Sequence, residues 1–228
     1  MILTIDGPAA SGKSSVARAL ALKLHYYYLN SGMLYRALGY CLMHNAGVPL
    51  QLLRGCTISA RKKCLESLRY TYDIKSGVMA MFIGDQNVTA LLKDPIIDKA
   101  ASLVGENKEA RTFLMAFQRS LINDYDIVAE GRDAGSVVFP QANVKFFLTA
   151  HPDVRALRWL KDKKDHGNTT ATFEDAVALI TERDKRDSDR TDAPLHIHAD
   201  NLLIDNSRYT MEQTLEKMLE IISENQKK

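Results

Sequence analysis

Gly7-Pro8-Ala9-Ala10-Ser11-Gly12-Lys13-Ser14 fits the spacing GxxxxGK[ST] without a mismatch, and no other stretch of the chain restricts the fold as much. Such a run must leave a strand and turn tightly, so that backbone N–H groups face inward around phosphate oxygens. It must then open a helix whose positive end points at the same anion. Both flanks fit. Ile2 to Ile5 is a short, β-branched apolar run closed by a Gly-Pro turn. After Gly12, Val16, Leu20 and Leu24 recur every four residues, as one buried helical face requires. The backbone from Gly7 through Gly12, together with Lys13, Ser14 and Ser15, is therefore expected to cradle a nucleoside triphosphate. Lys13 reaches for the β- and γ-phosphates, and Ser14 is the expected Mg²⁺ ligand. The motif alone does not separate kinases from GTPases or ATPases.

The rest of the chain bounds the answer. At 228 residues it can bury one substantial core. With 46% hydrophobic and 25% charged residues it has the composition of a soluble globular protein. It holds no apolar run of the roughly 20 residues a membrane span needs, and no basic segment leading into a long apolar one. The expectation is a soluble cytoplasmic protein, monomeric, with no membrane partner. A net charge of +2 is too small to argue for nucleic acid, so phosphate chemistry has to come from individually placed cations. Cys41, Cys56 and Cys64 show no CxxC spacing and read as small buried hydrophobes in a reducing compartment. His196 and His198 lack a third ligand and do not argue for a metal.

Along the chain, an antiparallel meander is expected at about 68–92, where Tyr70, Tyr72 and Ile74 alternate before a Ser-Gly turn and a second run from Val78 to Ile83. Helical periodicity returns over 96–123. Short apolar strands follow at Ile127 to Ala129 and Val144 to Thr149, then a helix starting near Pro152. Thr172 with Asp175, and Thr210 with Gln213, have the spacing of capping boxes. Strands alternating with helices imply an α/β fold: a central parallel sheet covered on both faces, with the meander as an insert on a single domain spanning 1–228.

Further blocks carry a resemblance. They are Leu29-Asn30-Ser31-Gly32-Met33-Leu34-Tyr35-Arg36, Gln118-Arg119, Ala129-Glu130-Gly131-Arg132-Asp133-Ala134-Gly135-Ser136-Val137-Val138-Phe139-Pro140, Arg183-Asp184-Lys185-Arg186-Asp187-Ser188-Asp189-Arg190 and Ala193-Pro194-Leu195. In order and spacing the chain resembles the bacterial-type cytidylate kinases, over nearly its whole length. That resemblance implies a P-loop kinase moving the γ-phosphoryl of ATP onto CMP or dCMP, with Mg²⁺. It implies an enlarged monophosphate-binding region around the meander and a helical lid at about 153–170. Bringing two polyanions together needs cations beyond Lys13. Arg36, Arg132, Arg183 and Arg190 are the natural clamps, because a guanidinium fork matches phosphate oxygens bidentately. Arg183, Asp187 and Arg190 are spaced to share one helix face. No general base is required, since a phosphomonoester is already an anion at neutral pH. By resemblance, Asp133 accepts from the cytosine amino group, Ser102 and Arg111 read the remaining ring edge, and Asp187 with Arg183 faces the ribose. Ser31 and Tyr35 join the substrate set, and Arg155 and Arg158 are lid residues closing over ATP, the latter a nucleotide ligand. As ordinary sequence, Arg155 and Arg158 equally suit solvated helix cations. Asn30 and Lys93-Asp94 depart from the family's usual Asp and Arg-Thr/Ser. Another P-loop kinase, on a different monophosphate or a small hydroxyl substrate, is the rival. A GTP-binding switch is the reading from another class, although Asn107-Lys108-Glu109-Ala110 lacks the carboxylate that reads guanine.

Overall fold

The computed structural model describes residues 1–59, 62–165 and 170–226. Among them, β1 (Ile2–Asp6) runs into the glycine-rich loop and α1 (Lys13–Leu24). Then come β2 (Tyr27–Asn30) and α2 (Ser31–Tyr40), followed by short turns and α3 (Lys62–Glu66). The meander is β3 (Leu68–Asp73), β4 (Val78–Ile83) and β5 (Gln86–Asn87), antiparallel throughout. Next are α4 (Pro95–Gly105), α5 (Lys108–Ser120), β6 (Ile127–Gly131), β7 (Val144–Thr149) and α6 (Pro152–Asp165). The chain closes with α7 (Phe173–Asp189), β8 (Leu202–Asp205) and α8 (Met211–Gln226).

The main sheet has the order β2-β6-β1-β7-β8, and every pairing in it is parallel. β1 sits in the middle, so its strand is buried on both faces, and Leu3 and Ile5 are wholly inaccessible. Val16 and Leu20 of α1 bury against it, with Phe139, Phe146 and Leu148, as the spacing by four requires. Both expected capping boxes form, Thr172 with Asp175 on α7 and Thr210 with Gln213 before α8. The separate meander sheet is tied to the main one by Tyr70, whose hydroxyl donates to Tyr28 O at 2.9 Å.

The structure departs from the expectations in two respects. The helical stretch 96–123 is two helices, because Asn107 breaks it: its Oδ1 accepts from Ala110 N at 3.1 Å as the N-cap of α5. Its Nδ2 donates to Cys56 O at 2.8 Å, so this asparagine is a structural cap and has no part in reading guanine. The cysteines are not all separate buried hydrophobes. Cys41, just past α2, and Cys64 of α3 are joined as a disulfide, with Cα atoms 5.9 Å apart. Their sequence separation of 23 gives no sign that the two turns pack together. His196 and His198 lie exposed in a loop.

Candidate active site

The loop between β1 and α1 opens at the carboxyl end of the central strand, where the chain leaves β1 towards β2 on one side while β7 and β8 lie on the other, the switch point at which α/β sheets leave a crevice. Gly7 is required there, since a Cβ would stand 2.1 Å from Leu148 O. Lys13 is 7% exposed and donates to Pro8 O at 3.0 Å. Burial, reinforced by the charge of Arg132, pulls its amine down to about 7. Ser14 Oγ donates to Glu130 Oε1 at 2.7 Å, and Glu130 is buried at the end of the neighbouring strand. Asp6 accepts from Ala134 N and Gly135 N, each at 2.8 Å, which fixes the segment after β6 beside the loop. Burial lifts Asp6 to about 6 against those hydrogen bonds.

One cavity of about 700 Å³ joins this cradle to a second cationic site. It is lined by Ala9, Ala10, Gly12, Lys13, Ser14 and Ser15 on the donor side, and by Ser31, Tyr35, Arg36 and Ser102 opposite. Arg132, Asp133, Arg158, Arg183, Asp187 and Arg190 are also among its lining residues. The three arginines at its centre differ in their partners. Arg36 directs Nε and Nη2 at Asp98 Oδ1, at 2.8 and 2.6 Å. Arg132 pairs through Nε with Asp187 Oδ2 at 2.6 Å and donates through Nη1 to Gly7 O at 2.9 Å. Burial works against the Asp187 carboxylate, but the Arg132 charge and hydrogen bond outweigh it and hold Asp187 below its usual range. Arg183 has no carboxylate in ion-pair contact among the described residues. Burial, then the Arg132 charge, lowers it to about 10, so it stays a cation at neutral pH. Arg36 and Arg132 have carboxylate partners, so Arg183 is the cation this centre holds in reserve for an incoming anion.

At the far end, Asp133 Oδ2 meets Arg111 Nη2 at 2.5 Å, and Arg190 Nη2 lies 3.6 Å from Oδ1. Arg111 Nη1 is buried with no hydrogen-bond partner among the described residues. Burial pushes the Tyr35 hydroxyl beside this group up to about 12.

Some expected residues stand behind the cavity wall. Gly7, Pro8 and Ser11 shape the loop from behind, and Arg111 is set back behind Asp133. Arg190 caps α7 just beyond its last turn, bonded to Ala193 O at 2.7 Å. Arg155 is neither a mobile lid cation nor a solvated one. It is 8% exposed and bonded to Ala150 O, Ala9 O and Asp184, because the small residues Ala9, Ala156 and Ala176 let α6 dock tightly on the loop. Arg158 lines the cavity with Nη1 on Ser11 O at 3.2 Å and Asn206 Oδ1 at 2.9 Å. Residues 166–169 of the expected lid lie outside the described residues. Asn30 accepts from Met33 N at 3.1 Å as the N-cap of α2, so the amide performs the capping an aspartate would. The residues that sequence reasoning missed are carboxylates. Glu130, next to last in β6, stands beside the phosphate loop on Ser14, a place the strand-then-glycine pattern could have marked. Asp98 and Asp184 carry no such signal.

The profile of the family described as cytidylate kinase matches residues 3–224. A cytidylate kinase of Fervidobacterium nodosum is 38% identical over 222 residues, 97% of this chain and 96% of that protein. Those of Chlamydia pneumoniae (37% over 227 residues, 99% and 100% covered) and Thermodesulfovibrio yellowstonii (35% over 224 residues, 98% and 98% covered) are similarly related. The crystal structure of an uncharacterised protein from Eubacterium ventriosum superposes with a TM-score of 0.52 at 12% identity, covering 98% of both chains, a likeness of fold alone. With relatives matched from end to end and the motifs set around one cleft, the chain belongs to the cytidylate kinase family.

Proposed function

We propose that this chain transfers the γ-phosphoryl group of ATP to CMP or dCMP, giving ADP and CDP or dCDP. The observation that carries the reading is that one cavity holds both the phosphate cradle and the arginine cluster of Arg36, Arg132, Arg183 and Arg190. ATP lies along the loop, with Lys13 at its β- and γ-phosphates and Arg158 at the α6 side. The acceptor phosphate lies among Arg36, Arg132 and Arg183. A dianionic phosphate needs no base, so the protein's work is alignment, charge neutralisation and exclusion of water. Lys13 is buried, and Arg36, Arg132 and Arg183 are partly shielded from solvent, which makes their charges count for more than they would in water.

Ser14 Oγ and the Glu130 carboxylate meet at the helix N-terminus as two oxygen donors, a set suited to Mg²⁺, which keeps most of its shell as water and substrate phosphate. When bound, the ion would neutralise charge between the β- and γ-phosphates. Ser14 and Glu130 would hold it, while Tyr28, whose hydroxyl donates to Glu130 Oε1 at 3.3 Å, orients the carboxylate.

Asp133 is aimed at the base. A carboxylate accepts from the cytosine amino group and repels the carbonyl uracil carries there. Arg111 Nη1, a buried donor without a partner among the described residues, suits the acceptor edge of the same ring. Ser102, Ser31 and Tyr35 bound the pocket, and Asp187 faces the sugar. The test is Asp133→Ala assayed with CMP and UMP. At least about tenfold more activity should be lost with CMP, the scale of one misread polar edge. Equal losses with both bases would remove Asp133 from base reading.

A further inference from the structure

The donor loop contains a backbone conformation that its own sequence does not favour. Ala10 stands at φ 55, the left-handed region where an L side chain crowds the neighbouring carbonyl. Such a conformation persists only where the surroundings over-determine it. Here the preceding residue is gripped on both sides. Ala9 N donates to Asp184 Oδ1 at 2.8 Å, Ala9 O accepts from Arg155 Nη1 at 3.0 Å, and Arg155 and Asp184 pair with each other. Arg155 is itself held through Nε on Ala150 O at 3.1 Å. Neither Asp184 nor Arg155 lines the cavity, and phosphoryl transfer as derived above uses neither.

Asp184 also links two sites. It follows Arg183 directly on α7, so the helix that presents Arg183 and Asp187 to the acceptor grips the donor loop through the next residue. We infer that Asp184, braced by Arg155, is a positioning residue for the donor: it holds the Ala9–Ala10 segment in the left-handed shape that receives the triphosphate. The inference rests on the reading of Gly7–Ser14 as the ATP cradle.

The experiment compares the wild-type enzyme with Asp184→Ala, Asp184→Asn and the double variant Asp184→Ala/Ala10→Gly. Steady-state kinetics with Mg-ATP and CMP are combined with calorimetric titration of Mg-ATP alone. Asp184→Ala should raise KM and Kd for ATP about tenfold, the scale of one charge-assisted hydrogen bond. KM for CMP should stay within about twofold. Asp184→Asn, which keeps an acceptor for Ala9 N and is the milder change should the alanine variant misfold, should fall between. Adding Ala10→Gly should bring the ATP values back to within about threefold of wild type, because glycine adopts positive φ freely. Equal rises for both substrates, or no recovery with glycine, would overturn the inference and leave Asp184 a general structural group. Wild-type enzyme that binds Mg-ATP but turns over no CMP would defeat the acceptor reading while leaving the titrations decisive for Asp184.

Discussion

Replacing Lys13 by methionine should stabilise the ligand-free protein while it destroys turnover. The amine is almost fully buried, and burial with the nearby Arg132 charge takes it from 10.5 to about 7. At about 1.4 kcal/mol per unit, that fall represents on the order of 5 kcal/mol of strain against the charged form below pH 7. Water entering the cleft and the loss of the hydrogen bond to Pro8 O reduce the net gain to about 2–4 kcal/mol. For a chain of this size that is roughly 5–10 °C in Tm. The sign follows from proton counting. Between about pH 7 and 10.5 the unfolded chain holds a proton on Lys13 that the folded chain has lost, so wild-type stability rises with pH across that window. The methionine variant should lack that rise. The assays are scanning fluorimetry without nucleotide from pH 6.5 to 9.5 and a coupled kinase assay, in which turnover should drop by at least about a thousandfold. A variant that melts below wild type, with the wild-type pH dependence intact, would refute the claim that the ligand-free cleft strains this cation.

Two further outcomes follow. An arriving triphosphate restores the charge on Lys13, so binding of Mg-ATP above about pH 7 should take up a proton and weaken by up to tenfold per pH unit. Calorimetry in two buffers of different ionisation heat measures that uptake. Asn30→Ala removes the N-cap of α2, the helix that carries Tyr35 and Arg36, and should lower stability by about 1 kcal/mol. Denaturant melts check the loss, and CMP affinity should weaken more than ATP affinity.

Local sequence carried much of the fold because several features are local in their physics. The phosphate loop, the spacing of Val16 and Leu20, the alternation of Tyr70 and Tyr72, and both capping boxes each involve residues within a few positions of one another. β2 and β8 were not legible. Each is four residues long at an edge of the sheet, and β8 buries only Ile204, so no periodicity can develop. The arginines of the clamp were legible as residues but not as pairs. Nothing in the chain order says that Asp98 meets Arg36 or that Asp187 meets Arg132 across a separation of 55. Arg155 is the sharpest case: its helical spacing suits a surface cation, and only the docking of α6 against Ala9 and Ala176 turns it into a buried strut. The Cys41–Cys64 bond is long-range in the same way.

The most direct test of the central claim is an ADP-release assay with Mg-ATP, offering CMP, dCMP, UMP, AMP, GMP and shikimate in parallel. Fast turnover with CMP and dCMP and much slower turnover with UMP is the predicted result. Turnover confined to any other acceptor, or to none, would contradict it.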